Sequence, residues 1–391
     1  MAETAILTFA DCIDALADFA RMSGGVSVAI PALKRCVLAA YDEVAAAHDW
    51  RSLKQMTRIN LRKPQTAGTV SYNATTRELT LTGATWPSWS QDASVRIDGV
   101  LHDVDTVKTT TVLTLDSVMC PADDITDASY VMFPRWYLLP LDFEALATPM
   151  DEPFAWGLGE YISPDAMAQL MRYEDETGDP RFYSIQAADG IYGALALSVW
   201  PASDKDRTYD VLYRRKPRAL RHSGKEPGDY VGSVSTTAGD ASIAGASTAF
   251  TDTMQGAIIR LIGATTIKAL PTGWDGAHPR IEERSISSVA SATVATADSA
   301  FANTIAGAAY VVSDPIDLHS SAHAALMACA IKHLARRLRL KDYAVLDRAA
   351  QQAIQDAKSL DGGRVHQRRV AGATIGPVTR LAHATNRPQV Y

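Results

Sequence analysis

The chain has 391 residues, of which 47% are hydrophobic and 21% charged, and its formal net charge is −6. This composition is typical of a folded globular protein and excludes a wholly disordered, collagen-like or highly charged chain. The length predicts two or three domains, because a single hydrophobic core rarely grows beyond about 250–300 residues. No apolar stretch approaches the roughly 20 residues of a membrane span, and residues 1–10 lack the basic start of a secretory signal. We therefore expect a soluble, unsecreted protein with no membrane partner.

Helical spacing dominates residues 1–62. Pro31 stands where a helix favours proline, at its first position. Val37, Tyr41 and Val44 then recur three or four residues apart, as on one face of a helix. We predict that this region forms the N-terminal part of a helical core.

The chain becomes rich in Thr and Val over residues 63–135, where short alternating runs predict a small antiparallel β module. Over residues 136–228, Ser163-Pro164-Asp165 predicts the start of a helix. The runs Leu195–Trp200 and Tyr209–Tyr213 predict a hairpin. We assign this helix and hairpin to the core as well.

A second β module, predicted over residues 229–315, repeats the first. Matching segments follow one another in the same order, for example Gly68-Thr-Val-Ser with Gly232-Ser-Val-Ser. Such self-similarity is the signature of an internal repeat. We therefore expect two copies of one β fold.

A long helix is predicted over residues 316–361, because apolar residues recur at helical spacing as far as Gly362-Gly363, which we expect to end it. The expected fold class is therefore α+β. Its core would consist of the N-terminal helices and the long C-terminal helix, with two inserted antiparallel β modules and an extended C-terminal arm.

The arm, residues 362–391, differs in charge from the rest of the chain. It contains no Asp or Glu, so its five arginines give it +5 and leave −11 for the remainder. It has too few large apolar residues to fold alone, which makes it a candidate docking segment. The residues concerned are Arg364, Arg368, Arg369, Arg380, Arg387 and the terminal Tyr391.

Catalytic and metal-binding signatures are missing from the sequence. GxSxG, P-loop, HExxH and EF-hand patterns do not occur. The four cysteines form no CxxC pair, which indicates neither a zinc site nor a disulfide framework. His319 and His323 lie four residues apart without a third ligand, and His48-Asp49 fits a structural pair better than a catalytic one. We expect no enzyme activity and no catalytic, cofactor-binding or metal-binding residues.

Two basic clusters interrupt the acidic sequence. One follows a predicted strand and the other lies on the predicted long helix. Each fits an ordinary solvated surface, or a contact with an acidic partner or a phosphate backbone; no motif for reading base edges accompanies them. The clusters are Arg214-Arg215-Lys216 with Arg218 and Arg221, and Lys332, Arg336, Arg337, Arg339 and Lys341.

Four features together resemble the head–tail adaptor (neck or connector) proteins of tailed bacteriophages. They are Val37–Val44 followed by His48-Asp49-Trp50, the β pattern from Gly68 to Trp86, Tyr137–Asp142, and the C-terminal helix with its basic arm. The resemblance implies a structural virion protein of the neck or tail, assembled in the host cytoplasm. Such proteins form homo-oligomeric rings, typically of twelve copies, below the portal. The two β insertions depart from the family's simplest members, which have a helical core alone.

The resemblance also implies partners. We expect the arm to dock on the portal protein through its arginines and Tyr391, and the β modules to hold a tail nozzle, fibres or spikes. An acidic body suits a ring through which duplex DNA passes without being gripped.

Two alternatives remain open from the sequence. A glycan-degrading virion protein would need two carboxylates about 5–10 Å apart across a cleft, which the sequence cannot place. A glycan-binding protein would need exposed aromatic residues, for which Trp86 and Trp89 are the candidates; equally, both would fit the core of the first β module.

Overall fold

The computed structural model describes residues 6–24, 28–118, 120–147, 159–173, 176–188, 190–262 and 280–366. Its internal contacts divide the chain into two compact units. The first unit consists of Met1–Ser52 and Pro217–Tyr391, and the second of Leu53–Lys216. Each unit is described by itself below.

The described residues contain five α-helices and 22 strands. The helices are α1 (Phe9–Gly24), α2 (Ile30–Ala47), α3 (Pro164–Tyr173), α4 (His323–Leu338) and α5 (Tyr343–His366). The strands of the second unit are β1 (Lys54–Leu61), β2 (Thr69–Asn73), β3 (Glu78–Thr82), β4 (Ala93–Ile97), β5 (Val100–Val107), β6 (Val112–Leu115), β7 (Ile125–Ala128), β8 (Tyr130–Pro134), β9 (Tyr137–Leu138), β10 (Phe143–Leu146), β11 (Glu160–Tyr161), β12 (Thr177–Gly178), β13 (Phe182–Ala187), β14 (Leu195–Trp200), β15 (Ala202–Ser203) and β16 (Arg207–Arg215). Those of the first unit are β17 (Ser233–Thr236), β18 (Ser242–Ala246), β19 (Ile258–Ile262), β20 (Arg280–Ser291), β21 (Val294–Ala297) and β22 (Ile305–Ser313).

In the first unit, α1, α2, α4 and α5 pack together as a helical bundle, with α4 in contact with both α2 and α5. The predicted face of α2 is buried, including Val37, Tyr41 and Val44. Trp50 follows the helix and is fully buried; its indole Nε1–H donates to the Val44 carbonyl at 2.7 Å. Burial of one apolar face thus positions the N-terminal helices, as their spacing predicts.

The prediction of one long C-terminal helix is wrong in one respect: the structure has two helices joined by a tight turn. Arg339 ends α4 in the left-handed conformation, at φ 54°, and its N–H reaches the carbonyls of Ala335 and Arg336. The Asp342 carbonyl then accepts the N–H groups of Val345 and Leu346 at the start of α5. The predicted stop at Gly362-Gly363 is also wrong, because α5 continues to His366.

Strands β17–β22 form a closed barrel in the order β17-β18-β21-β20-β19-β22. The last strand closes it by pairing with β17 through Ile305 and Ala308, and with β19 through residues 309–313. Ile259, Leu261 and Tyr310 are among the buried residues that fill the barrel.

Strands β2–β8 of the second unit follow the same plan, with the order β7-β2-β3-β6-β5-β4-β8. Here β7 pairs with β2, and the next strand, β8, pairs with β4. The two strands β7 and β8 therefore stand where the single strand β22 stands in the barrel. We refer to these β domains as the first module (β2–β8) and the second module (β17–β22).

Details of the two modules also correspond. In the first, the Tyr130 hydroxyl donates to the Ala67 carbonyl at 2.8 Å, and in the second the Tyr310 hydroxyl donates to Val231 at the same distance. The next residue is in each case a glycine with positive φ, Gly68 at 87° and Gly232 at 84°. Correspondence of strand order and of such contacts is the pattern that an internal repeat produces.

The rest of the second unit consists of small sheets with α3. One has the order β1-β16-β10, another β11-β13-β14-β9, and β12 pairs with β15. The hairpin predicted from Leu195–Trp200 and Tyr209–Tyr213 is wrong, because β14 and β16 lie in different sheets. The predicted helix is confirmed as α3, which begins at Pro164.

The predicted fold class, a helical core with β insertions, is wrong. The chain is mostly β, with 22 strands in five sheets and only 29% helix in the part described. Strand β1 shows why: Ile59 and Leu61 are buried whereas Arg58 and Asn60 are exposed, a period of two inside a region predicted to be helical. Its partner along its whole length is β16, about 150 residues away in the chain, so no local pattern indicates the pairing.

Replacing Gly232 with alanine tests the close approach of strands in the barrel. A Cβ at Gly232 would lie 2.4 Å from the Ala246 carbonyl oxygen, whereas at Gly239, with a similar φ of 82°, it would meet nothing within 4 Å. We expect Gly239→Ala to cost about 1 kcal/mol of unfolding free energy through its φ alone, and Gly232→Ala about 1–3 kcal/mol more. Urea denaturation measures both; equal losses would contradict the steric explanation.

Candidate functional site

The predicted portal-binding arm lies almost wholly outside the described residues. Arg364 falls within α5, but its side chain is not described. Arg368, Arg369, Arg380, Arg387 and Tyr391 lie beyond the last described residue, His366. The described site is therefore the place from which the arm departs, the end of α5.

Buried Asp361 holds the end of α5 against the segment that follows α2. Its Oδ2 accepts the backbone N–H of Arg51 at 3.3 Å and lies 3.4 Å from His48 Nε2. Asp361 is only 7% exposed. A buried carboxylate needs such partners, and sequence analysis missed this one because it paired His48 with its neighbour Asp49.

The basic cluster predicted on the C-terminal helix separates into two parts. Lys332 is buried, and its ammonium group bonds to Glu43 on α2, which also accepts from His333 Nε2 at 2.8 Å. Burial raises the pKa of Glu43, but hydrogen bonds from Lys332 and His333 outweigh this and leave the pKa below its ordinary value. Lys332 therefore joins α4 to α2.

The other four cations of that cluster are exposed at the opposite end of the bundle from Asp361. Arg35, near the start of α2, joins them, because α2 and α4 run antiparallel. We call this set the basic end; it consists of Arg35, Arg336, Arg337, Arg339 and Lys341.

The other predicted basic cluster, which begins at Arg214, spans both units, and two of its arginines have partners within their own unit. In the second unit, Arg214 Nε lies 3.1 Å from Glu144 Oε2. In the first unit, Arg218 donates to Asp314 Oδ1 through Nε at 3.1 Å and Nη2 at 2.9 Å. Arg214 and Arg218 therefore stabilise the folded units through these ion pairs.

Asp314 is the centre of a buried network that sequence analysis missed. Its Oδ2 accepts the backbone N–H groups of Arg221 and His222, both at 2.6 Å. The side chain is 1% exposed. No sequence signal distinguishes this aspartate from a surface turn residue, because its partners are contributed by residues more than 90 positions away.

A second network attaches the barrel to α1. Arg260 on β19 donates through Nη1 to Asp11 Oδ1 at 2.6 Å, through Nη2 to the Ile6 carbonyl at 2.8 Å, and through Nε to Glu283 at 3.1 Å. Burial raises the pKa of Asp11, but the Arg260 guanidinium lowers it further, so the net pKa is below its ordinary value. Beside this network lies a cavity of only about 40 Å³, too small for a ligand.

The two histidines considered as metal ligands have local partners instead. His319 Nδ1 accepts the Ser321 N–H at 3.2 Å, and His323 Nε2 lies 3.1 Å from the Leu318 carbonyl. Burial lowers the pKa of His323. No group of three or more His, Cys, Asp or Glu suited to a metal occurs among the described residues.

The candidate sugar-stacking tryptophans pack into the first module. Trp86 is 6% exposed and meets Tyr130 edge-on, with ring centroids 5.4 Å apart. Trp89 is partly buried against the same core. Trp86 therefore offers no face to a sugar.

Sequence analysis also missed an exposed loop between β13 and β14. Tyr192 is fully exposed and Ile191 is 43% exposed. They border a shallow depression of about 520 Å³ that also touches Lys216. An exposed tyrosine of this kind is typical of contact surfaces.

Comparisons with known proteins give no family. No protein-family model matches the chain, and no curated protein matches it significantly. Among the described residues, no helix is long and apolar enough to cross a membrane.

The Asp11–Arg260 contact predicts a pH dependence of stability. Because the pKa of Asp11 is lower when the chain is folded, its contribution is complete above the pKa of the unfolded chain and is lost as pH falls through the folded pKa. Asp11→Asn should cost about 1.5–3 kcal/mol at neutral pH and reduce the loss of stability on acidification.

The control is Asp18→Asn on the same helix, whose carboxylate pairs with Arg21 on the surface. We expect it to change the free energy of unfolding by about 0–0.5 kcal/mol. Denaturation series across acidic and neutral pH measure both variants. An Asp11→Asn protein with the wild-type acid dependence would disprove the assignment.

Proposed function

We propose that this chain is a structural virion protein, a head–tail adaptor that forms a ring below the portal of a tailed bacteriophage. In this role it extends the DNA channel and provides attachment for tail components. It would belong to the neck or tail of the virion and assemble in the host cytoplasm. The proposal concerns a binding function, with no chemical step assigned to the chain.

The observation that carries the proposal is the abrupt change of charge at the end of α5. The arm has five arginines and no acidic residue, after a body of charge −11. An arginine-rich segment of this kind fits an acidic protein groove, where guanidinium groups bind carboxylates in a bidentate manner.

The anchoring of α5 supports the same role. Asp361 connects the last turns of α5 to His48 and the Arg51 backbone, so the arm leaves a folded bundle at a fixed point. A partner that binds the arm would therefore also hold the helical bundle in place. Such an arrangement suits a docking segment.

The resemblance to adaptors supports the proposal in part. Its first motif, Val37–Val44 with Trp50, belongs to the packed surface of the helical bundle. The mostly β architecture departs further from a simple helical adaptor than the sequence indicated. The proposal therefore depends on the bundle and the arm.

Passage of duplex DNA is consistent with the charge of the body. A net −11 outside the arm disfavours tight phosphate binding, because protein–DNA affinity comes largely from neutralised phosphates. Twelve-fold symmetry follows from the family resemblance alone. Trp86 is buried and Trp89 packs partly against the same core, which argues against the glycan-binding alternative.

Deleting residues 367–391 tests the docking role. The deletion retains all of α5 and Asp361, so we expect a folded protein with an unchanged melting temperature. We expect it to lose binding to the portal protein of the same phage, because four of the five arginines are removed. Co-sedimentation with purified portal rings measures this.

Two full-length variants serve as controls. Glutamine at Arg368, Arg369, Arg380 and Arg387 should reproduce the loss, whereas lysine at these positions should retain most binding, because the charge is kept and only the bidentate geometry is lost. Wild-type binding by the truncated protein would refute the proposed role of the arm.

A further inference from the structure

The basic end of the helical bundle carries cations that the described structure leaves unpaired. Arg35, Arg336, Arg337, Arg339 and Lys341 are all exposed. None of these side chains has an ion pair within the described residues. This contrasts with Lys332 one turn earlier, which is buried against Glu43.

The cations lie close together across two helices. Burial raises the pKa of Cys36 on α2, and both Arg337 and Arg35 act against this effect, so both guanidinium groups lie near the same thiol. Arg336 and Arg337 occupy the last turn of α4, and Arg339 ends it. The basic end is therefore one surface.

Helix dipoles do not explain this surface completely. Cations are favourable in the last turn of α4, but Arg35 lies in the second turn of α2, too far from the end of that helix for its dipole to stabilise the charge. Mutual repulsion of the cations is therefore a cost. An acidic partner would relieve it.

One β domain of this chain has a marked excess of acidic residues. Residues 68–134, which make up the first module, contain nine acidic and three basic residues, whereas residues 232–313 of the second module contain six and four. The two modules share one strand order, so the charge is what distinguishes them.

Both modules neutralise part of their charge internally, through pairs such as Arg260 with Glu283 and Lys108 with Glu78. Six acidic residues of the first module remain exposed, against three among the described residues of the second. In the first module Asp92, Asp105 and Asp123 are exposed. Their carboxylates have no ion pair within the described residues.

We infer that the basic end of one copy binds the acidic surface of the first module in a second copy of this chain. A contact between two different surfaces is heterologous, the kind of interface from which closed rings are built. The inference deepens the proposed function by naming an interface for that ring. It assigns the first module to a neighbouring copy rather than to a tail fibre.

Charge reversal tests the interface in the full-length protein. Arg336→Glu with Arg337→Glu should weaken self-association at least about tenfold, because like charges then face each other. Asp92→Lys with Asp105→Lys should do the same. An equal mixture of the two double variants should recover association, since opposite charges meet again. Sedimentation velocity at low and high salt measures all of these, and wild-type association should weaken as salt rises.

The matched control reverses two exposed aspartates of the second module, Asp252 and Asp298. Asp252→Lys with Asp298→Lys makes the same charge change on the same β fold and should leave association unchanged. The inference is overturned by a monomeric wild type, by association that survives reversal of the basic end, or by a basic end whose reversal abolishes binding to duplex DNA but not self-association.

Failure of this interface is distinguishable from failure of the proposed function. Portal binding by the arm is measured separately, with the truncated protein described above. If the charge-reversal variants self-associate as the wild type does, only the proposed interface is disproved. Intact self-association together with wild-type portal binding by the truncated protein disproves the arm's role alone.

Discussion

Each β module is attached to a helix by one buried arginine at the same place in the repeat. Arg260 reaches Asp11 in the first turn of α1, and Arg96 donates to the Met171 carbonyl in the last turn of α3 at 2.6 Å. A buried guanidinium is costly unless hydrogen bonds compensate it. Each arginine spans from its module to a helix, so the contact helps to fix the position of the module within its unit.

The two modules then differ in the chemistry of their surfaces. The second is closed by a single strand and pairs Arg284 with Glu282. The first keeps most of its aspartates exposed. One scaffold thus carries a net charge of −2 in one unit (6 acidic and 4 basic residues) and −6 in the other (9 and 3).

Sequence analysis identified what local signals determine. Pro31 and Pro164 mark the beginnings of α2 and α3, because proline acts on the backbone of its own turn. It failed where distant residues decide the outcome: β1 is a strand because β16 lies beside it, and Asp314 is buried because Arg218 reaches it. Four cations of the basic end were found as a run of residues, but their separation from Lys332 and the place of Arg35 beside them required the tertiary structure. The arm remains a prediction.

The pairing of β1 with β16 has a consequence for the history of the chain. Lys54 lies opposite Arg214, so the polypeptide enters and leaves the second unit on adjacent antiparallel strands. A unit whose ends are neighbours can be gained or lost as a cassette without separating the segments that flank it. The shorter ancestor that this geometry allows would join residue 52 to residue 217 through a simple loop and retain the bundle, the barrel and the arm.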